Sequence, residues 1–443
     1  MLATHEMLRG KLSGVISNKA AQGHVVDGLV EALAALPDSH DAMWAFAHRL
    51  AHLPMRDDWP YVEPSDLAGI RAEADPDAPA DPIAEVDLDD SAGRVEAAFL
   101  AACAGCVLGK PLEFGPTLAD IRAGAEAVGE WPLGDYVPEA MLDRMGKRHA
   151  SWAETTRGNI AYVAPDDDVN YIVMGMLLLE GHGAALTPAH VRDAWLRHLP
   201  VVACWGPERT MIVKAGIDAL NYGDSGADLE DWVTILNPGD ELCGALIRAD
   251  AYGYACPGRP ALAAELAWQD ARWTHRRTGL YGAMFVAAAI AAAQVVDDRL
   301  APFEIALRLV PRRSRFHEIV ADCLAAVRAA SDWLDGYERV HGRYGEYGHC
   351  KIYQEVGTLM NTMRFARDVG DGLCIQVAQG NDTDSFGCTA GSLLGAFFGP
   401  GHLADRWLTP FNDEIRTGLA NFFERSLSRL AKRMGALPRR IAE

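Results

Sequence analysis

From about residue 92 onward, the chain is a succession of segments rich in alanine, leucine and glycine, with apolar residues at helical spacing. These segments are RVEAAFLAACAGCVLG, VNYIVMGMLLLE, PALAAELAWQDARWTH, LYGAMFVAAAIAAAQVV and FHEIVADCLAAVRAASDWL. Alternating strand patterns are scarce, because only ELCGALIRAD and GLCIQVAQ are ambiguous. The sequence shows no alternation of strands with helices and no internal repeat. The pattern therefore predicts an all-α domain.

Composition divides the chain into three expected parts. Residues 1–71 form a predicted N-terminal helical extension, in which HDAMWAFAHRLAHL has helical spacing. Residues 72–91 form a predicted linker, since AEADPDAPADPIAEVDLDD contains eight acidic residues and three prolines and can bury little surface. Residues 92–443 form the main helical domain.

The charge balance and the cysteines limit the partners and the compartment. With 41 basic and 61 acidic residues, the net charge is −20, which argues against non-specific binding to nucleic acid or to an anionic membrane surface. The longest apolar stretch, near Gly282 to Val296, spans about 15 residues, fewer than the ~20 needed to cross a bilayer. No secretory h-region is apparent, and the nine cysteines are scattered, so we expect a cytoplasmic protein with reduced thiols.

Three consecutive aspartates, Asp166, Asp167 and Asp168, precede a segment that is apolar around nearly its whole circumference. Such a helix is deeply buried. One aspartate suffices to cap a helix and to meet its positive dipole end. Three at a buried entrance would repel one another unless a cation or solvent compensated them. Capping alone and a cation site are therefore the two interpretations.

The stretch QGNDTDSFGCTAGSLLGAFFG, residues 379–399, is a second acidic entrance to an apolar helix. Asp382, Asp384 and Ser385 stand at its start. Glycines recur at every fourth position along one face, at Gly387, Gly391, Gly395 and Gly399. Because each interior glycine costs a helix roughly 1 kcal/mol, they predict the close approach of a neighbouring helix.

The candidate ligands in both clusters are carboxylate and hydroxyl oxygens. Hard oxygen ligands favour Mg²⁺, Mn²⁺ or Ca²⁺ over zinc. Five aspartates could hold two divalent ions, with a shared carboxylate between them. A third segment, AGCVLGKPLEFGPT, contains Lys110 with the wrong glycine spacing for a phosphate loop. Glu113, at the end of this helix-like run, is either a surface residue or part of the same site.

Together the segments GCVLGKPLE (105–113), DDDV (166–169) and DTDS (382–385) resemble, in the same order, the motifs of the ADP-ribosylglycohydrolase family. CGALIRADAYG (243–253) and DARWTH (270–275) resemble the family's middle region. The resemblance covers roughly residues 92–400. It implies an all-α fold with a centre of two Mg²⁺ or Mn²⁺ ions in a cleft.

The resemblance also implies roles for individual residues. One ion would be held by Asp166, Asp167, Asp168 and Asp384, and the other by Asp382, Asp384 and Ser385. Glu113 or Asp167 would act as the catalytic base or orient the water, and Gly244 and His275 would lie near the bound ADP-ribose.

Three positions depart from the family pattern. Asp166 and Val169 replace the threonines that flank the aspartate pair, and Cys106 replaces the aspartate that follows the first glycine. Asp166 adds a negative charge at the first metal, Val169 removes a supporting contact, and Cys106 affects part of the expected contact with the ribose.

The resemblance implies a hydrolase that cleaves a glycosidic bond at the anomeric carbon of ADP-ribose, carried by a protein or a small molecule. One alternative is an inactive ADP-ribose or nucleotide binder of the same fold. The other is a class I terpenoid synthase, whose two metal motifs DDDVN and NDTDS would match except at the last ligand.

Overall fold

The computed structural model describes residues 4–219 and 229–442, and within those ranges it contains helices and isolated bridges but no β-strand. The predicted all-α fold is confirmed. The α-helices are α1 (His5–Ala21), α2 (Leu29–Ala34), α3 (His40–Ala51), α4 (Leu67–Glu73), α5 (Leu88–Gly109), α6 (Leu118–Glu126), α7 (Glu139–Met145), α8 (Trp152–Thr155), α9 (Asp167–His182), α10 (Pro188–His198), α11 (Gly206–Ala219), α12 (Leu229–Thr234), α13 (Asp250–Ala255), α14 (Pro260–Ala271), α15 (Thr278–Ala293), α16 (Ala301–Leu307), α17 (Arg315–Ala329), α18 (Trp333–Tyr344), α19 (Tyr353–Phe365), α20 (Val369–Ala378), α21 (Thr383–Phe398), α22 (Leu427–Gly435) and α23 (Leu437–Ala442). Short 3₁₀ helices span Lys110–Leu112, Gly183–Ala185, Val201–Ala203, Cys243–Arg248, Gly345–Tyr347, Asp405–Trp407 and Thr409–Phe411.

Many of these helices begin at a side-chain cap, in which a Ser, Thr or Asp oxygen accepts an N–H of the first turn. Such caps are Thr4, Ser39, Asp66, Asp87, Thr117, Asp166, Thr187, Ser314, Asp332, Asp368 and Ser426. The helix starts are thus local properties of the sequence.

The centre of the molecule is the close packing of α5 against α21. A Cβ added at Gly387 would lie 2.6 Å from the carbonyl oxygen of Gly105. A Cβ at Gly391 would overlap the backbone of Ala101, and one at Gly395 would overlap that of Ala98. The prediction that these glycines admit a neighbouring helix is confirmed at three of four positions. Gly399 instead ends α21, with φ of +77°.

Burial explains the apolar character of the central helices. By length and composition alone, the stretch Leu88–Leu112 could cross a membrane, but its most apolar window is 83% buried within the protein. Its neighbours there are α20, α21 and α22. Every residue of α15 is likewise buried.

The N-terminal helices α1 to α3 form a small core of their own. It consists of Leu12, Val15, Ile16, Leu29, Leu33, Met43, Phe46, Ala47, Leu50 and Ile235. Ile235 comes from the main domain, so this core is also a docking surface. Beside it, the side-chain amides of Asn18 and Gln22 both donate to Oδ1 of Asp240, at 2.7 Å each.

The acidic segment between α4 and α5 lies against the main domain. It is shorter than the predicted linker of residues 72–91, because α4 continues to Glu73 and α5 begins at Leu88. The carboxylate of Asp81 accepts the N–H groups of Ala261 and Leu262 in the first turn of α14, at 3.0 and 2.8 Å. None of residues 74–87 is fully buried. The segment is therefore held by polar contacts at the surface.

Replacing Gly391 by alanine is expected to lower the free energy of unfolding by roughly 1–3 kcal/mol, because the added methyl group forces α5 and α21 apart. Urea denaturation measures this. The matched control is Gly10→Ala in α1, where an added Cβ meets no atom within 4 Å. The control should be neutral or stabilising by up to about 1 kcal/mol. Equal stability of both variants would contradict the proposed role of the glycine face.

Asp250, the first residue of α13, is fully buried, and burial raises its pKa from 3.8 to about 7, which the Ser392 hydroxyl offsets only in part. The folded state therefore holds a proton that the unfolded chain releases, so this group costs stability as the pH rises from about 4 through 7. Asp250→Asn should remove that cost. Its stabilisation relative to wild type, measured by thermal unfolding, should be larger at pH 8 than at pH 5 by about 2–3 kcal/mol. A pH-independent difference would contradict this.

Candidate active site

Three chain segments converge at the point where α5 ends and α21 begins. The two helices run antiparallel, and the hydroxyl of Thr383 donates to the carbonyl of Gly109 at 2.9 Å. A Cβ at Gly109 would overlap the backbone of Thr383. The N-terminus of α9 packs against both helices. Glu113 and the two aspartate clusters are thereby brought together, as the sequence motifs implied.

The aspartates at the entrance to α9 have different environments. Asp166 caps the helix, because its Oδ1 accepts the N–H of Asp168 at 3.1 Å. Asp167 is half-buried and faces outward enough to meet solvent. Asp168 is fully buried, and neither of its carboxylate oxygens has a hydrogen-bond partner. Capping therefore accounts for Asp166 alone.

A lysine lies at the centre of the acidic cluster. The Nζ of Lys110 is 2.5 Å from Oε2 of Glu113, 2.7 Å from Oδ2 of Asp166 and 2.8 Å from Oδ2 of Asp384. Burial alone would lower the pKa of Lys110, but these three carboxylates raise it well above its ordinary value. The lysine is thus held as an ammonium by its three acidic neighbours. Sequence reasoning considered this lysine only as part of a phosphate loop and missed its place in the site.

Asp382, at the entrance to α21, makes no side-chain cap. Its Oδ2 instead accepts from the thiols of Cys243 at 3.5 Å and Cys350 at 3.3 Å. Its backbone N–H donates to Oε1 of Glu355 at 3.1 Å. Capping therefore does not account for this carboxylate. Ser385 lies nearly buried in the same first turn, at 7% exposure.

Glu355 is a second residue that sequence reasoning missed. It is buried in α19, and its Oε1 also accepts the N–H of Cys350 at 3.3 Å. Cys350 and Ile352 both have positive φ, of 64° and 63°, so the carboxylate supports a strained loop. Its Oε2 has no partner. A glutamate in the first turn of a helix is ordinary, and no sequence signal marks this one.

The acidic groups of the site outnumber the Lys110 ammonium, and their pKa values reflect this. Burial, followed by the charge of Asp166, raises the pKa of both Asp167 and Asp168 well above the ordinary value. Burial and then the charge of Asp384 raise the pKa of Asp382 to about 6 and that of Glu113 to about 9. Excess buried negative charge is stabilised by protons or by a cation.

The donor chemistry fits a hard divalent cation. Both oxygens of Asp168 and Oδ1 of Asp384 are buried without hydrogen-bond partners. Asp167 lies close enough to Asp382 and Asp384 for their charges to raise its pKa. Oxygen donors of this kind are what Mg²⁺ and Mn²⁺ take in proteins. The Oδ2 atoms of Asp166 and Asp384 are already engaged by Lys110.

Cys106 lies beside this cluster, with its sulfur within 4.8 Å of carboxylate oxygens of Asp166 and Asp168. A hydrogen bond with Cys388, then burial, raises the pKa of Cys106 well above its ordinary value. The group is a neutral thiol, so this position contributes no negative charge. The neighbouring Val169 is fully buried and packs in the core.

Gly244 and His275 lie on one hydrogen-bonded network but differ in access. Gly244 is partly exposed and follows Cys243, whose thiol contacts Asp382. His275 is fully buried, and its Nδ1 is 2.7 Å from the hydroxyl of Thr274. Arg248 joins the two by donating to the Gly244 carbonyl at 2.9 Å and to Thr274 at 2.6 Å. Gly244 is thus accessible to solvent, whereas His275 is enclosed by the surrounding protein.

The sequence model of the ADP-ribosylglycohydrolase family matches residues 87–438. The chain belongs to the ADP-ribosylglycohydrolase family. Members of this family are generally hydrolases of ADP-ribose-related substrates, and membership decides against a terpenoid synthase. The helices α1 to α4 lie outside the match.

A solved structure titled "ADP-ribosylglycohydrolase-related protein complex" shares the fold, with a TM-score of 0.50 and 20% identity. The alignment covers 80% of this chain and 99% of that chain. No curated protein sequence matches the chain.

Asp168→Asn should have opposite effects on stability with and without a divalent cation. In EDTA the variant is expected to be more stable than wild type by about 1–3 kcal/mol at neutral pH, because asparagine is uncharged and avoids the cost of burying a carboxyl group that is ionised in the unfolded chain. Saturating Mg²⁺ or Mn²⁺ should stabilise wild type, by about 2.7 kcal/mol at a hundred times Kd, and the variant much less. Thermal unfolding measures both. The control Asp41→Asn, on the exposed face of α3, should match wild type. An equal response of all three proteins to the cation would contradict the site.

Proposed function

We propose that this chain hydrolyses the glycosidic bond at the anomeric carbon of ADP-ribose attached to a protein or a small molecule, with the aid of Mg²⁺ or Mn²⁺. The observation that carries the proposal is the gathering of Glu113, Asp166 and Asp384 around Lys110, with Asp167, Asp168 and Asp382 close enough for their charges to interact with this group. Family membership supports the same reaction class.

Asp167, Asp168, Asp382 and Asp384 would hold the cation, with Ser385 in the same turn. A divalent cation bound there supplies electrostatic stabilisation and lowers the pKa of a bound water. The chain itself provides the frame, since the closely packed α5 and α21 fix the carboxylates before any ligand arrives. This preorganisation avoids a reorganisation cost during the reaction.

Glu113 is the residue that would accept or hold the proton of the attacking water, once a bound cation offsets the negative charge that, after burial, helps to raise its pKa to about 9. Its side chain is 28% exposed, so it reaches the solvent edge of the cluster. Lys110 at 2.5 Å and Nε2 of His149 at 3.5 Å from the same Oε2 fix its orientation. The surrounding negative charge favours an oxocarbenium-like transition state at the sugar.

The second candidate function is ADP-ribose binding without turnover. The neutral thiol of Cys106, in place of the aspartate expected from the family pattern, favours it. Gly244 would serve either function, because its partly exposed backbone lies one residue from a thiol that contacts Asp382.

Incubation with ADP-ribosylated protein and with ADP-ribosylated small molecules in Mg²⁺ or Mn²⁺ should release free ADP-ribose, measured by chromatography. Asp167→Asn and Glu113→Gln should each reduce the rate at least about 100-fold, because each removes a group that holds the ion or moves a proton. The control Asp41→Asn should retain full activity. Binding of ADP-ribose by calorimetry with no release from any conjugate would favour the binder instead.

A further inference from the structure

We infer that the ammonium of Lys110 permanently occupies one of the two cation positions of this site, so that the protein binds a single divalent ion. The inference rests on the proposed function only in taking the acidic cluster to be a cation site. It concerns how this chain fills that site with its own side chain.

The contacts of Lys110 are those of a bound cation. A lysine ammonium has three N–H donors and no acceptor. Here three different carboxylates, from Glu113, Asp166 and Asp384, lie within 2.5 to 2.8 Å of Nζ. The ammonium donates a hydrogen bond to Oδ2 of Asp384 and forms close ion pairs with Glu113 and Asp166, so acidic groups enclose its charge. The Lys110 side chain is only 10% exposed, and Asp166 and Asp384 are 2% exposed, so water screens these two ion pairs little.

The position of the ammonium matches a metal position between the two helix entrances. Asp166 comes from the entrance to α9 and Asp384 from that to α21, and one oxygen of each contacts Nζ. A divalent ion on the same two oxygens would lie within a few ångströms of the ammonium, where two positive charges repel strongly. Lys110 and an ion therefore exclude each other at these oxygens.

The other side of Asp384 remains open to an ion. Its Oδ2 contacts Lys110, while Oδ1 is buried without a partner. Both oxygens of Asp168 are in the same condition. Asp384 is thus placed as a carboxylate shared between the ammonium and one divalent ion. The site would thus resemble a centre of two cations that share Asp384, with the Lys110 ammonium in place of one ion.

The residue at position 106 is consistent with a cluster that needs less positive charge than two divalent ions supply. Cys106, whose sulfur lies within 4.8 Å of oxygens of Asp166 and Asp168, stands where the family pattern has an aspartate, so the site has one acidic residue fewer. A lysine is a compact point charge on a flexible stem, so it can supply the charge of a cation. It cannot bind water as a metal does, so Lys110 is a positioning residue.

The test is the number of Mn²⁺ ions bound per chain, measured without substrate by calorimetry and by the electron paramagnetic resonance of free Mn²⁺. Wild type should bind one ion. Lys110→Met should bind two, because the vacated oxygens become available, whereas Lys110→Arg should still bind one. The control Lys432→Met, an exposed lysine on α22, should bind one.

Two ions in wild type, or none, would overturn the inference, as would a folded Lys110→Met variant that still binds one. If that variant does not fold, the wild-type number and the Lys110→Arg number still decide. The number of bound Mn²⁺ ions is measured without substrate. A failure to release ADP-ribose would therefore count against the proposed function and would not affect the inference about Lys110. Conversely, a wild type that releases ADP-ribose with two bound ions would refute only the role of Lys110.

Discussion

The close contact of α5 with α21 is the constraint on which the site depends. Backbone meets backbone at Gly105 with Gly387 and at Gly109 with Thr383. A side chain at any of these glycines would separate the helices, and the end of α5 would move away from the start of α21. The distance from Lys110 to Asp384 is set by this packing, since the two residues directly follow the last contacts. Glycine lowers the intrinsic stability of both helices, but it allows a contact that fixes the separation between distant parts of the chain.

Local patterns in the sequence sufficed for the fold and for part of the site. Each of these patterns lies within a single segment of the sequence: the helical spacing, the N-cap residues and the glycine face. The all-α fold and the contact of α21 with another helix could therefore be predicted. The aspartate clusters and Glu113 were marked by their unusual position ahead of apolar helices. The family match then agreed with the motifs.

The remaining features depend on contacts across long stretches of chain. Lys110 sits at a helix end, where a lysine is ordinary, and only the fold shows that its three neighbours are carboxylates. Glu355 and the thiols of Cys243 and Cys350 reach Asp382 from two other segments. His275 shows the converse, because a resemblance in sequence could not tell that its ring is enclosed behind Arg248 and Thr274.

The docking of the N-terminal helices has a consequence for how this protein can be divided. Asn18 and Gln22 hold Asp240, which is 4% exposed and shortly precedes the 3₁₀ helix that carries Gly244. A protein trimmed to the family-matched residues would lose both amide donors and uncover a buried carboxylate at the foot of that helix. The 3₁₀ helix that carries Gly244 is therefore supported by residues outside the family match. Substitutions in α1, which the family pattern does not include, can shift the position of this helix.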